Sequence, residues 1–242
     1  MKVKIWGTRG SIPSPGPHTV KYGGNTICLE FRFEPDNRLI ILDAGSGIRH
    51  LGMELMQTEI PKGPLKLDLF FSHTHWDHIL GFPFFIPIYV PTTELNIYGP
   101  VTFEDDPLEK VVSGQMQYRY FPITTAELSA KLKYFHLKET EKDLGDGIHL
   151  KTKYLNHPLT CLGYRFTQGN KTIVTLFDHE PYHNLFAAQA EEVDEDVLAE
   201  GEQISQEQNQ KIIDFMRGAD LVLHDAPVYR RRVRQRPSGL GP

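Results

Sequence analysis

The chain has 242 residues, 40% of them hydrophobic and 24% charged, and a net charge of −5; this globular composition excludes wholesale disorder, collagen-like repeats and coiled coil. Cys28 and Cys161 are its two cysteines and form no CxxC pair, which excludes a thiolate zinc site or a disulfide framework. No apolar run is long enough to cross a bilayer and no signal core opens the chain, so a soluble cytoplasmic protein with no membrane partner is expected.

Val3 to Trp6 reads as a strand, and the following GTRGSIPSPGPHTVKYGGN is too rich in turn formers to be regular. Thr26 to Phe33 alternates apolar and polar residues, the period of a strand with one buried face. Pro35-Asp36-Asn37 is a turn, and the apolar run Arg38 to Leu42 suits an interior strand. Gly45-Ser46-Gly47 leads into a helix in which Ile48, Leu51, Leu55 and Met56 share a face. Leu65 to Phe71 is a further strand. More strands are expected near 95–98, 132–137, 147–155, 161–167, 171–177 and 221–223, a helix near 104–118, and a helical stretch over 181–217 broken at Gly201. No repeat or linker divides the chain, so one domain of packed sheets flanked by helices is expected.

The strand ending at Phe71 runs into Ser72-His73-Thr74-His75-Trp76-Asp77-His78. In an extended segment His73 and His75 project to the same side, so two imidazoles can converge on one metal ion. If the chain then turns, Asp77 and His78 can face a second ion. Imidazole and carboxylate together suit Zn²⁺, Mn²⁺ or Fe²⁺. The bland alternative is a surface loop that merely contains three histidines, and the HxHxDH spacing after an apolar strand argues against it.

This string, with GTRGSIPSPGP, YGGNT (22–26), ILDAGSG (41–47), ILGFPFF after HTHWDH, NHP (156–158), LGYR (162–165), Asp178 and LVLHDA (221–226), resembles the metallo-β-lactamase superfamily over residues 3 to 226. The auxiliary strings look most like the phosphodiesterase branch related to ribonuclease Z and phosphonate-pathway cyclic phosphodiesterases. The resemblance implies an α/β fold, a four-layer αββα sandwich. It implies two divalent ions, zinc before manganese or iron. His73, His75 and His157 would hold the first, Asp77 and His78 the second, and Asp178 would bridge both. A water acidified by the ions would be the nucleophile, with Asp77 orienting it and His224 donating a proton to the leaving group. Taken alone, His157 could instead be a turn residue, Asp178 a helix cap and His224 half of a buried pair with Asp225; His179 could support the ligands from behind.

The resemblance fails at the end of the chain. After LHDA the related families carry a further metal histidine and closing elements, whereas here PVYRRRVRQRPSGLGP contains no histidine, acid or cysteine. The five arginines of 230–236 leave the rest of the chain at −10. The expectation is a hydrolase domain over 1–226, a flexible basic tail over 227–242 from a shifted or replaced ending, a weakened second metal site, and marginal stability or an apolar patch covered by a partner subunit, as in a homodimer.

The expected activity is metal-dependent hydrolysis of a small or cyclic phosphodiester. Residues 178–210 hold ten acids and no Lys or Arg, and if they flank the cleft they disfavour long nucleic acid. Two alternatives stay open: a lactone or thioester hydrolase on the same ions, and an inactive or binding-only member lacking the last metal histidine.

Overall fold

Residues 1–101, 106–187 and 193–225 are described by the computed structural model. Eleven strands among them build two sheets. The first sheet follows chain order: β1 (Lys2–Gly7), β2 (Cys28–Phe33), β3 (Arg38–Leu42), β4 (Leu65–Phe70), β5 (Thr93–Pro100) and β6 (Lys131–Leu137). Its β1–β2 and β2–β3 pairs are antiparallel, and β3 through β6 run parallel. The second sheet contains β7 (Glu141–Asp143), β8 (Ile148–Tyr154), β9 (Leu162–Gln168), β10 (Lys171–Leu176) and β11 (Leu221–His224). Its order is β11-β10-β9-β8-β7, with only β10–β11 parallel.

Side-chain alternation builds the layers. From the first sheet, Ile40, Leu42, Phe70 and Tyr98 point inward against Ile148, Leu150, Leu162, Tyr164 and Phe166 of the second. Phe70 meets the rings of Tyr164 and Phe166 edge-on at 5.4 and 5.5 Å, the arrangement aromatic quadrupoles favour. The alternate residues Leu39, Ile41, Leu67, Leu69, Leu95 and Ile97 point outward and pack against helices α1 (Ile48–Thr58) and α3 (Leu108–Gly114). On the other side, Val174 and Leu176 of β10 pack with Ile212 and Phe215 of α4 (Glu195–Met216). Helix, sheet, sheet, helix is therefore the layer order, the expected αββα sandwich. A short helix, α2 (Trp76–Ile79), sits at its edge.

Four features differ from the sequence reading. Gly201 does not break a helix: α4 runs through it unbroken. A Cβ there would lie 2.4 Å from Asn184 Oδ1, so the glycine serves a close approach of the 184–186 segment. Residues 181–186 are not helical, and α4 begins only at Glu195, where the Asp194 side chain accepts a hydrogen bond from the Asp196 N–H at 3.1 Å. The expected helix over 104–118 is confined to α3, its first part falling outside the described residues. On α1, Ile48, Leu51 and Leu55 are buried as the pattern predicts, while Met56 is half-buried. The basic stretch 227–242 also lies outside the described residues. Among the described residues no helix is long and apolar enough to cross a membrane.

Candidate metal centre

Strand direction gathers the candidate residues. β1, β3 and β4 run the same way in one sheet, and β8, β10 and β11 do so in the other. The segments that follow the carboxyl ends of these strands carry Arg9 and Ser11, Asp43, the HTHWDH string, His157, Asp178 and Asp225; His224 is the last residue of β11. One cleft of about 500 Å³ is lined by residues from most of them, including Asp77, His78, His157, Asp178 and His224.

The HTHWDH string does what its spacing requires. His75 is still extended (φ −61°, ψ 152°), and α2 starts at Trp76. The chain thus presents His73 and His75 first, then turns to present Asp77 and His78 from a helix. That turn is locked onto ILDAGSG: the Ala44 N–H donates to the His78 carbonyl at 2.7 Å and the Gly81 N–H to the Ala44 carbonyl at 2.8 Å. A Cβ on Gly81 would lie 2.1 Å from the Gly45 carbonyl oxygen, so the approach requires a residue without a side chain.

His73, His75, His157 and Asp178 converge with one potential ligand atom each, all within 4.8 Å of one another. His75 Nδ1 lies 3.0 Å from His73 Nε2 and 2.9 Å from His157 Nε2. Asp178 Oδ2 is 3.4 Å from His73 Nε2 and 3.9 Å from His157 Nε2. Its other oxygen, Oδ1, is 3.5 Å from His78 Nε2, and that nitrogen is 3.8 Å from Asp77 Oδ2. Asp178 itself has φ +57°, a left-handed conformation that Asp tolerates better than most residues. No helix follows it directly, which removes the capping role considered from sequence.

The charges fit a cation. Burial holds His73 and His157 below the ordinary imidazole range, which favours neutral rings with a free lone pair. Burial alone would raise the Asp178 carboxyl, but His73 and His78 outweigh it and hold it well below the usual carboxylate range. Three imidazole nitrogens and a carboxylate oxygen form a donor set that divalent zinc, manganese or iron accepts.

Supporting groups missed from the sequence stand behind these side chains. Asp43, fully buried, accepts from the Ser72 N–H and Ser72 Oγ, both at 2.8 Å, and its Oδ2 lies 2.8 Å from His78 Nδ1. Ser72 Oγ also reaches His73 Nδ1 at 3.1 Å. Asp77 Oδ2 accepts the Ser11 N–H at 2.7 Å from the opening loop. The sequence signal for Asp43 was an acid closing an apolar strand, where a buried carboxylate demands partners. His179 is buried, and its Nδ1 accepts from the Asn156 N–H at 3.2 Å, so it buttresses the loop that carries His157. His224 lines the cleft, hydrogen-bonds through Nδ1 with the Asp225 carbonyl, and has its ring 5.9 Å from that of His179. It is partly exposed, not half of a buried pair.

Four layers with an HxHxDH cluster at the edge where the sheets open define a protein of the metallo-β-lactamase type. No protein-family model matches the chain. Ribonuclease Z of Lactococcus lactis subsp. lactis (strain IL1403) is 27% identical over 179 residues, covering 71% of this chain and 51% of that protein. Ribonuclease BN of Salmonella paratyphi C (strain RKS4594) matches to the same extent. The chain thus spans about half the length of the curated relatives it matches. Among solved structures, the metallo-β-lactamase fold protein YhfI from Bacillus subtilis is 20% identical with a TM-score of 0.49, over 75% of this chain and 62% of that one. The short form of human tRNase Z is 20% identical with a TM-score of 0.48, over 73% and 68%. In sequence the chain is thus similar to ribonucleases Z and BN over 71% of its length.

Proposed function

We propose that the chain is a metal-dependent phosphodiesterase acting on a small or cyclic phosphodiester. His73, His75, His157 and Asp178 would hold one divalent ion, and Asp77, His78 and Asp178 a second, with zinc ahead of manganese and iron. The observation that carries the reading is Asp178, whose two oxygens face different histidines, Oδ2 toward His73 and Oδ1 toward His78. Ions bound there supply Lewis acidity toward a phosphoryl oxygen and lower the pKa of water.

The side chains do the rest. Asp77, its Oδ2 fixed by the Ser11 N–H, orients the attacking water and accepts its proton. Asp43 holds a proton on His78 Nδ1, which leaves Nε2 as the lone-pair nitrogen facing Asp178. His224, with Nδ1 engaged by the Asp225 carbonyl, donates a proton to the leaving oxygen. Residues 1–226 form the hydrolase domain in this reading, and 227–242 a basic appendage.

The relatives are ribonucleases by name, which brings RNA forward as the rival substrate. Against a long polyanion stand Glu180 and Asp225, the two carboxylates of the cleft lining that this reading assigns to neither ion. The acids of α4 do not add to this argument: α4 packs over the second sheet and contributes no lining residue.

Turnover of bis(p-nitrophenyl) phosphate, a lactone, a thioester and a precursor transfer RNA by zinc-loaded protein decides among the readings. Phosphodiester turnover that is lost in His73→Ala and Asp77→Ala is the expected result. Dominant carbonyl or RNA cleavage would replace the proposal, and an inactive wild type would favour a binding-only member.

A further inference from the structure

Arg9 is the one Lys or Arg among the described residues that line the cleft. It stands among four carboxylates, yet among the described residues its side chain makes no ion pair and no hydrogen bond, and its Nε is buried without a partner. Its backbone is fixed: the Arg9 N–H donates to the Asn25 carbonyl at 3.0 Å, residue 9 bridges Thr26, and two residues on the Ser11 N–H holds Asp77. Three of the carboxylates have other partners. Asp77 accepts from Ser11, Asp178 faces His73 and His78, and Asp225 Oδ1 accepts the Asp178 N–H at 2.9 Å.

A buried guanidinium donor left unpaired is costly, and the planar fork matches two oxygens of a phosphate better than any neutral group. Resting on the phosphodiesterase reading, we propose that Arg9 binds the anionic non-bridging oxygens of the substrate phosphate. It thereby selects a charged phosphodiester over neutral esters, lactones and thioesters, which offer no negative oxygen in the ground state. Arg9 is a specificity residue in this account, and the metal ligands do not depend on it.

The test compares dimethyl phosphate, a slowly reacting monoanion, with trimethyl phosphate, its neutral counterpart. Binding of each to zinc-loaded protein is measured by calorimetry for the wild type, Arg9→Gln and Arg9→Lys, with zinc content measured in parallel. The expected result is that Arg9→Gln weakens dimethyl phosphate binding by about 10- to 100-fold, leaves trimethyl phosphate unchanged and retains its zinc. Arg9→Lys, which keeps the charge and loses the fork, falls between. Equal binding of dimethyl phosphate by wild type and Arg9→Gln would overturn the proposal, as would no binding by the wild type, parallel loss of both probes, or loss of zinc. The two proposals fail separately. Arg9-dependent binding without phosphodiester turnover removes the function and keeps the anion site, whereas turnover with Arg9-independent binding does the reverse.

Discussion

Replacing Asp43 by Asn keeps the shape, the burial and an amide that tolerates the φ of +60° at this position. It changes which proton His78 carries. The carboxylate Oδ2 lies 2.8 Å from His78 Nδ1 and accepts its proton, so Nε2 keeps the lone pair beside Asp178 and Asp77. In Asp43→Asn, Oδ1 still serves the Ser72 N–H, but an NH₂ group then faces His78 and favours the tautomer with the proton on Nε2. Losing such a supporting partner lowers metal affinity by about 10- to 100-fold, or about 1.4–2.8 kcal/mol. Chelator competition with zinc at pH 7.5 measures it. The metal-free proteins add an independent readout. Burial pulls His78 down, but Asp43 and Asp178 outweigh it and hold the imidazolium up to about 10. A pKa raised on folding stabilises below the unfolded value near 6.5, and that stability is lost as pH rises through about 10. The deficit of Asp43→Asn in urea should therefore be largest below pH 6.5 and shrink toward pH 10. Wild-type zinc affinity in the variant, or a deficit that does not depend on pH, would refute the tautomer argument.

Other perturbations test how the sandwich supports the site. Arg38 Nη2 donates to Asp68 Oδ2 at 2.7 Å, and Asn96 Nδ2 to Asp68 Oδ1 at 2.9 Å, across β3, β4 and β5. Arg38→Leu leaves the buried Asp68 without its cation and should cost about 3–5 kcal/mol in urea unfolding, much of it recovered by adding Asp68→Asn. Tyr164 Oη donates to the Phe71 carbonyl at 2.6 Å within the core; Tyr164→Phe should cost about 1–2 kcal/mol, read from the denaturant midpoint. Gly81→Ala drives a methyl group into the Gly45 carbonyl and should lower both stability and bound zinc, measured by thermal unfolding and metal analysis, whereas Gly114→Ala, with open space at its Cβ, should spare both.

Strand periodicity made most of the fold legible. Leu162, Tyr164 and Phe166 alternate in sequence and all face the inter-sheet core, and the apolar run of β3 is buried from Leu39 to Leu42 as an interior strand should be. The failures concern tertiary contacts. Gly201 looked like a helix break because helix propensity is local, while its reason for being glycine is Asn184, seventeen residues away. Within the site, His73, His75, Asp77 and His78 shared one short string and were visible together. Asp43 and Ser11 were not: their partners lie 35 and 66 residues away, and nothing in a window around either residue shows a ligand to be held. Arg9 went unread for the same reason, since its significance is the absence of a partner among the described residues in a cleft lined from five strand ends.

Charge links the ligand set to the substrate. With the imidazoles neutral, as metal ligands must be, the four lining carboxylates and Arg9 leave the described lining at about minus three. One divalent ion brings it to about minus one, which still repels a phosphodiester monoanion; a second brings it to about plus one, which attracts it. On the proposed two-ion reading, the second ion would thus govern substrate entry as well as chemistry. The residues proposed for it, Asp77, His78 and Asp178, are fewer than the four proposed for the first, because Asp178 is shared and its other oxygen lies toward His73 and His157. Substrate affinity should therefore follow the occupancy of the weaker ion. Arg9 matters most when that ion is absent, because it is then the cleft's one fixed positive charge among the described Lys and Arg side chains.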